Sequence, residues 1–138
     1  MFQINVPTRR SLTVMTVADD IPTLEGLERY LHPRVSFLAV PELDGAVAGL
    51  AASDAVVLYP DGFAVRAVER FVRRLICDTT LSLVIVVTAQ VDRFRALSQS
   101  RATASRFIVL SQPVWPWELF ATIQASLPYP RREDARSC

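Results

Sequence analysis

The sequence Val-Met-Thr-Val-Ala-Asp-Asp-Ile-Pro at positions 14–22 decides the fold, because an apolar run ends there in two adjacent carboxylates and a helical pattern follows. The run predicts a buried strand that delivers Asp19 and Asp20 to the loop at its carboxyl end. Two neighbouring acids repel each other, and they persist where a divalent cation or a phosphoryl group is handled. The alternative is that one Asp caps the next helix while its neighbour is solvated.

Four further apolar runs recur at roughly 20- to 25-residue intervals, each followed by a segment with helical periodicity, as is typical of parallel α/β sheets. We predict strands at 12–18, 35–40, 55–58, 81–87 and 106–110, and helices at 22–31, 43–52, 63–76, 91–103 and 116–127. In the second helix, Leu43, Val47 and Leu50 are expected to face the sheet. The pattern predicts a single α/β domain of five βα units, a doubly wound parallel sheet of flavodoxin-like strand order 2-1-3-4-5.

The length of 138 residues and the 51% hydrophobic content suit one domain. We place this domain at 11–127, after an N-terminal extension at 1–10 and before a solvated, disordered tail at 128–138. No apolar run approaches the roughly 18 residues that span a bilayer, and the first ten residues lack the core of a secretory signal. The sequence therefore predicts a cytoplasmic protein without membrane contact, whose Cys77 and Cys138 are reduced thiols.

All 15 basic residues are arginines, so the chain contains no lysine. This excludes mechanisms that need a lysine ammonium, such as Schiff-base chemistry or a P-loop. The four glycines form neither GxGxxG nor GxxxxGK, which removes the common nucleotide-phosphate cradles. A formal net charge of +1 gives no reason to expect direct nucleic-acid binding.

Polar residues follow the ends of four predicted strands, and a parallel sheet brings such ends to one edge. They are Asp19-Asp20, the segment 59–61, Thr88-Ala89 and Gln112-Pro113. Together with Asp54, which introduces the third strand, their order and spacing resemble those of receiver domains in the response regulators of bacterial two-component systems. The resemblance covers residues 11–127.

The resemblance implies a role in signal transduction and a set of site residues. Receiver domains bind Mg²⁺ through the paired acids, here Asp19 and Asp20, and accept a phosphoryl group on an Asp that ends the third strand. A Thr or Ser after the fourth strand, here Thr88, senses that group together with a Lys after the fifth strand. An aromatic residue in the fifth strand then changes rotamer and repacks the neighbouring surface.

The chain departs from this pattern at three functional positions. The phosphoacceptor position falls on Tyr59, whose phenol, with an ordinary pKa of about 10, forms no acyl phosphate and ligates Mg²⁺ weakly. Gln112 stands at the lysine position without a positive charge, and Val109 stands at the position of the switch aromatic. We therefore predict a weak Mg²⁺ site at the Asp pair or none, no other cofactor, no catalytic residue, and a degenerate pocket of Asp19, Asp20, Tyr59, Asp61, Thr88 and Gln112.

Two residues of this pocket have alternative interpretations. Asp61 is either a displaced phosphoacceptor or the cap of the following helix. Thr88 either keeps a signalling role or only caps the fourth helix. The Gln112-Pro113 bond is a candidate cis peptide, as in the family.

Three functions are compatible with these residues. The leading hypothesis is a stand-alone pseudo-receiver, a phosphorylation-independent protein-interaction module that is not an enzyme. The alternatives are a receiver that accepts phosphate on Asp61 and a small metal-dependent α/β enzyme. We expect a protein partner or a homodimer to bind the face made by the fourth helix, the fifth strand and the fifth helix. Because interface cores are rich in Trp and Arg, its candidate residues are Trp115, Trp117, Arg93, Arg95 and Arg106, with burial of Trp115 in the core as the alternative.

Overall fold

The computed structural model describes residues 12–78, 80–99 and 106–126, in which five strands alternate with five helices. The strands are β1 (Thr13–Val17), β2 (Ser36–Val40), β3 (Ala55–Leu58), β4 (Leu83–Thr88) and β5 (Arg106–Ser111). The helices are α1 (Ile21–Leu31), α2 (Leu43–Gly49), α3 (Val65–Cys77), α4 (Val91–Gln99) and α5 (Pro116–Ser126). Short 3-10 turns follow α2 and β3, at Leu50–Ala52 and Pro60–Gly62.

The strands form one parallel sheet in the order β2-β1-β3-β4-β5, which confirms the predicted topology. In this sheet β1 lies beside β3, with Val14 paired to Ala55 and Val17 paired to Leu58. Every residue of β3 and β4 is buried, as expected for central strands that are covered on both faces. Because all five strands run in the same direction, their carboxyl ends share one edge of the sheet.

Helices cover both faces of the sheet and bury an apolar core on each. The helices α2, α3 and α4 lie on one face, where Phe71 and Phe94 pack with apolar residues of the strands. The helices α1 and α5 lie on the other face, where Leu27, Leu31 and Leu119 pack in the second core. This layering leaves the loops at the carboxyl edge of the sheet as the places where polar side chains can gather.

The structure corrects two details of the sequence prediction. Val47 does not face the sheet, since it is 37% exposed while Ala46 is buried instead. The third helix begins at Val65 rather than at position 63, because the 3-10 turn is followed by extended backbone at Phe63 and Ala64. The first turn of the predicted helix is thus replaced by a connection that belongs to the pocket described below.

Several predictions concern residues outside the described ranges. These are the extension at 1–10, the tail at 128–138, Cys138 and the last residues of the predicted fourth and fifth helices. Cys77 lies within the described ranges and is an exposed free thiol. In the part of the chain that the structure describes, no helix has the length and apolar character needed to cross a membrane.

Candidate functional site

The carboxyl ends of β1, β3, β4 and β5 surround a cavity of about 750 Å³. Its lining includes five of the pocket residues that the sequence indicates, namely Asp19, Asp20, Tyr59, Asp61 and Gln112. The sixth, Thr88, is fully buried at the end of β4 and bonds to Asp61. The six residues come together because parallel strands deliver their C-terminal loops to the same edge.

Asp61 connects the loop after β3 to the end of β4 through two hydrogen bonds. The Thr88 hydroxyl donates to Asp61 Oδ1 at 2.7 Å, and the Ala89 backbone N–H donates to Asp61 Oδ2 at 2.9 Å. Thr88 Oγ1 also accepts a hydrogen bond of 2.9 Å from the Gln90 N–H. Both oxygens of the carboxylate and both sides of the hydroxyl are therefore engaged.

The structure excludes one interpretation of Asp61, whereas its role as a phosphoacceptor and the signalling role of Thr88 stay predictions. The interpretation of Asp61 as the cap of the following helix is wrong, because α3 starts after Ala64 without a side-chain cap. Its carboxylate is directed to β4 by the 3-10 turn, which is closed by a 3.0 Å bond from the Phe63 N–H to the Pro60 carbonyl. Thr88 accepts a bond from the Gln90 N–H, which lies just before α4, so its hydroxyl supports the turn into that helix.

Asp19 and Asp20 are exposed at the end of β1. Asp20 immediately precedes α1, and its carboxylate accepts a hydrogen bond from the Thr23 hydroxyl. Asp19 packs against Gly62, where an added methyl group would overlap its carboxylate. Gly62 therefore allows the loops after β1 and β3 to approach each other closely. Within the described residues, no three His, Cys, Asp or Glu side chains are grouped so that they could hold a metal ion.

Tyr59 occupies the end of β3 and is packed beneath the cavity. Its backbone N–H donates to the Val17 carbonyl at 2.9 Å, which continues the sheet by one residue. Its ring packs against the core on the α1 and α5 face. Burial raises the pKa of the Tyr59 phenol from 10.0 to about 12, so this group is neutral at physiological pH.

The side of the cavity formed by the loop after β5 contains Gln112, Pro113 and Val114. The Gln112-Pro113 peptide bond is cis. None of the described residues that line the cavity is basic. The three carboxylates of the cavity therefore have no positively charged side chain beside them in its wall. The amide of Gln112 offers dipoles where the family pattern has an ammonium.

Two further positions of the family pattern lie away from the cavity. Val109 is half-buried and packs against the core on the α2 to α4 face, without a ring that could change rotamer. Asp54 lies at the amino end of β3, where its Oδ2 accepts a 2.9 Å bond from the Thr13 N–H. Asp54 therefore joins β3 to β1 at the opposite end of the sheet from the pocket.

The indole rings of Trp115 and Trp117 form an exposed stacked pair at the start of α5. Their ring centroids are 5.1 Å apart, their planes differ by 3°, and the residues are 56% and 54% exposed. Glu118 fixes this turn: its Oε1 accepts a 2.8 Å bond from the Trp115 N–H, and its own N–H donates to the Trp115 carbonyl at 2.9 Å. The alternative that Trp115 belongs to the core is wrong.

The arginines predicted beside the tryptophans lie at separate places. Arg93 faces α3, with its Nη2 3.9 Å from Glu69 Oε2, and its Nη1 donates to Gln90 Oε1 at 3.1 Å. Arg95 is exposed on α4. Arg106 begins β5, roughly 17 Å along the strand from the end that leads to the Trp pair. That these arginines share one interface with Trp115 and Trp117 stays a prediction.

No protein-family model matches this sequence, and no curated protein matches it. Solved structures do match: a signal receiver domain from Vibrio parahaemolyticus has a TM-score of 0.64 at 19% identity, over 86% of this chain and 91% of that one. A response regulator receiver domain protein from Bacillus halodurans has a TM-score of 0.63 at 14% identity, over 87% of this chain and 100% of that one. A response regulator receiver protein from Burkholderia phymatum has a TM-score of 0.60 at 24% identity, over 86% of this chain and 97% of that one. The chain has the receiver fold.

Within the receiver fold, sequence reasoning missed two contributors to the pocket. The Ala89 N–H binds Asp61, and a backbone donor leaves no signal in residue identity. Gly62 contacts Asp19, and the Asp-Gly pair at 61–62 indicates a turn without naming its neighbour. Both contributions depend on how the short connection after β3 packs across the edge of the sheet.

Proposed function

We propose that this chain is a receiver-fold signalling module that works without phosphorylation and acts by binding another protein. The observation that carries the proposal is the pair of hydrogen bonds from Thr88 and Ala89 to the Asp61 carboxylate. By the resemblance, the Thr88 hydroxyl would be the sensor of a phosphoryl group. Here that hydroxyl already has an anionic acceptor supplied by the chain itself, so the loop after β4 takes its arrangement without an incoming group.

The rest of the pocket supports the same proposal. Tyr59 presents a neutral phenol where an acceptor carboxylate would be needed, since burial raises its pKa to about 12. A phosphoryl group would add negative charge beside three carboxylates, and no described residue of the cavity wall supplies a cation. Like charges that share a partly enclosed site disfavour one another.

Metal binding and location complete the proposal. With Asp61 bonded to donors at β4, Asp19 and Asp20 have no third carboxylate to complete an oxygen shell, so we expect Mg²⁺ to bind weakly or not at all. We assign the module to the cytoplasm, as the sequence predicts, with a protein partner or a second copy as its target. We propose no catalytic activity.

The decisive experiment is incubation of the full chain with acetyl phosphate or phosphoramidate and Mg²⁺, followed by intact-mass measurement. We expect no gain in mass, and a calorimetric Mg²⁺ titration should show millimolar affinity or none. A stable gain of one phosphoryl group would contradict the proposal. The same reaction on Asp61→Asn then identifies the acceptor.

One observation favours a second function, that of a receiver with Asp61 as displaced acceptor. The 3-10 turn at Pro60–Gly62 folds back, so that Asp61 lines the same cavity as Asp19 and Asp20. A phosphoryl gain that Asp61→Asn abolishes would establish this function. A phosphoryl gain that persists in Asp61→Asn would exclude this function. The absence of a phosphoryl gain in both the unmodified chain and Asp61→Asn would also exclude it.

A further inference from the structure

The cavity extends beyond its acidic end into a groove between the start of α1 and the loop before α5. Apolar side chains line this part of the wall, namely Pro22, Leu27, Pro113, Val114 and Pro116. Gly26 lies on the same wall, and a Cβ built on it would meet no atom within 4 Å. A volume of about 750 Å³ is in the range of sites for organic groups and far exceeds the need of a single ion.

The charge of the groove selects the chemistry of its occupant. Three carboxylates lie at one end and no basic side chain lines the described wall, so a cationic group is complementary to it. The carboxylates do not converge as ligands of one metal ion. Instead they are spread over two loops, which suits an extended cation with several donors. A guanidinium has five N–H donors, is weakly hydrated and tolerates apolar walls, whereas an ammonium is a compact and strongly hydrated charge.

The exposed Trp pair lies next in the chain to residues that line the groove. Trp115 and Trp117 flank Pro116, which lines the groove. Their rings stack on each other, and Glu118 bonds to the Trp115 backbone. Ile21, at the start of α1, is a further exposed apolar side chain and is 49% exposed. Rigid aromatic surface of this kind loses little conformational entropy on binding and is concentrated at interface hot spots.

We propose that this groove binds an arginine-bearing segment of a partner protein. The guanidinium binds Asp19 and Asp20 beside the Asp61 carboxylate, which keeps its bonds to Thr88 and Ala89, and a neighbouring apolar or proline side chain lies on the Trp115–Trp117 pair. The inference rests on the proposed protein-binding function and names the chemistry of the partner. It overlaps the predicted face of α4, β5 and α5 only at the start of α5, because most of its walls are provided by α1 and the loops after β1, β3, β4 and β5.

The test uses the full chain and a soluble library of fluorescein-labelled nonapeptides, each with a central arginine between randomised apolar or proline positions. The best binder is then compared with the same peptide carrying citrulline, which keeps the shape and lacks the charge. We expect citrulline to weaken binding at least tenfold. The double variant Asp19→Asn, Asp20→Asn and the groove-filling variant Gly26→Leu should each weaken it at least tenfold as well.

Asp44→Asn is the matched control, because Asp44 is an exposed acid on α2, which covers the other face of the sheet. It should leave peptide affinity unchanged, and an equal loss there would show nonspecific charge attraction and overturn the proposal. The absence of any binder at millimolar concentration, or equal binding of citrulline, would also overturn it. The proposal would also be overturned if free arginine competed for the groove as strongly as the unlabelled peptide does. Self-association of the chain that the groove variants abolish would overturn it as well.

Failure of this inference is distinguishable from failure of the proposed function. Phosphoryl gain is measured by mass on the unmodified chain and needs no peptide. Arginine-dependent binding in a chain that gains no phosphate supports both statements. A chain that gains no phosphate and binds no arginine peptide keeps the proposed function and loses the groove assignment.

Discussion

The pKa of the Tyr59 phenol reports how strongly this residue is buried beneath the pocket. Its phenol has a pKa of about 12 against an ordinary 10.0, because burial disfavours the phenolate. In a pH titration followed by phenolate absorbance, Tyr59 should ionise about two pH units above the ordinary pKa of a phenol. Tyr59→Phe should remove this late step.

The same shift predicts how stability depends on pH. The folded-state pKa lies above the unfolded value, so the contribution of Tyr59 is fully present below pH 10 and is lost as the pH rises through about 12. The unfolding free energy of the unmodified chain should therefore fall more steeply over this range than that of Tyr59→Phe. Parallel curves for the two proteins would show that the phenol is solvated.

The contact between Asp61 and Thr88 is suited to a double-mutant cycle. Asp61→Ala and Thr88→Val each remove the 2.7 Å hydrogen bond, so the double variant should lose less stability than the sum of the two. We expect a coupling free energy of about 1–2 kcal/mol from urea unfolding, the range for a charge-assisted bond that is partly exposed. Asp19→Asn combined with Thr88→Val is the control and should be additive within about 0.5 kcal/mol. Additivity in the Asp61 cycle would remove the observation that carries the proposed function.

At the scale of elements, the strand ends could be predicted and the turn geometry could not. Residues 83–87 are all apolar and residues 14–18 are apolar except Thr16, so the places where Asp19 and Thr88 emerge follow from the sheet pattern alone. The position of the Asp61 carboxylate depends on a three-residue turn that packs on a strand 27 residues later in the chain. Local propensity identifies the Asp-Gly turn but carries no information about such a distant partner.

Two glycines provide a prediction about helix packing. Gly26→Ala lies in the exposed interior of α1 with free space at the Cβ, so it should stabilise the fold by about 0.5–1 kcal/mol. In Gly49→Ala at the end of α2, the new methyl would lie 2.8 Å from the Sδ of buried Met15. It should destabilise by about 1–3 kcal/mol, the usual cost of overpacking. Urea denaturation gives the unfolding free energies of the two variants. Stabilisation by Gly49→Ala would contradict the prediction, because it would show that α2 can shift on the sheet to accommodate the methyl group.

At the scale of the whole molecule, the sequence predicts the layers but not the exposed surface. The alternation of strands and helices determines which segments cover each face, and both cores follow from it. Whether Trp115 is buried could not be read in the same way. It precedes the first turn of α5, where helical periodicity has not begun and where Glu118 sets the backbone direction. The same limit applies to Arg93, whose position facing α3 depends on Glu69 of another helix.

The exposed Trp pair yields the last prediction, which separates an interface from a structural role. Trp117 is more than half exposed, so Trp117→Ala should change the unfolding free energy by no more than about 1.5 kcal/mol, the value of an aromatic stack. A buried Trp would cost about 3–5 kcal/mol on truncation. If the pair anchors a partner or a second copy, the same variant should weaken association by about 2 kcal/mol or more.

Thermal melting and sedimentation of Trp117→Ala measure the two quantities separately. Ala121→Ser, on the exposed side of the same helix, is the control: it should leave association unchanged and cost only the difference in helix propensity, about 0.5 kcal/mol. Acrylamide should quench the fluorescence of both tryptophans in the unmodified chain, because both rings are open to solvent. A large loss of melting temperature with unchanged association would contradict the interface role, because the indole would then stabilise the fold and not a complex.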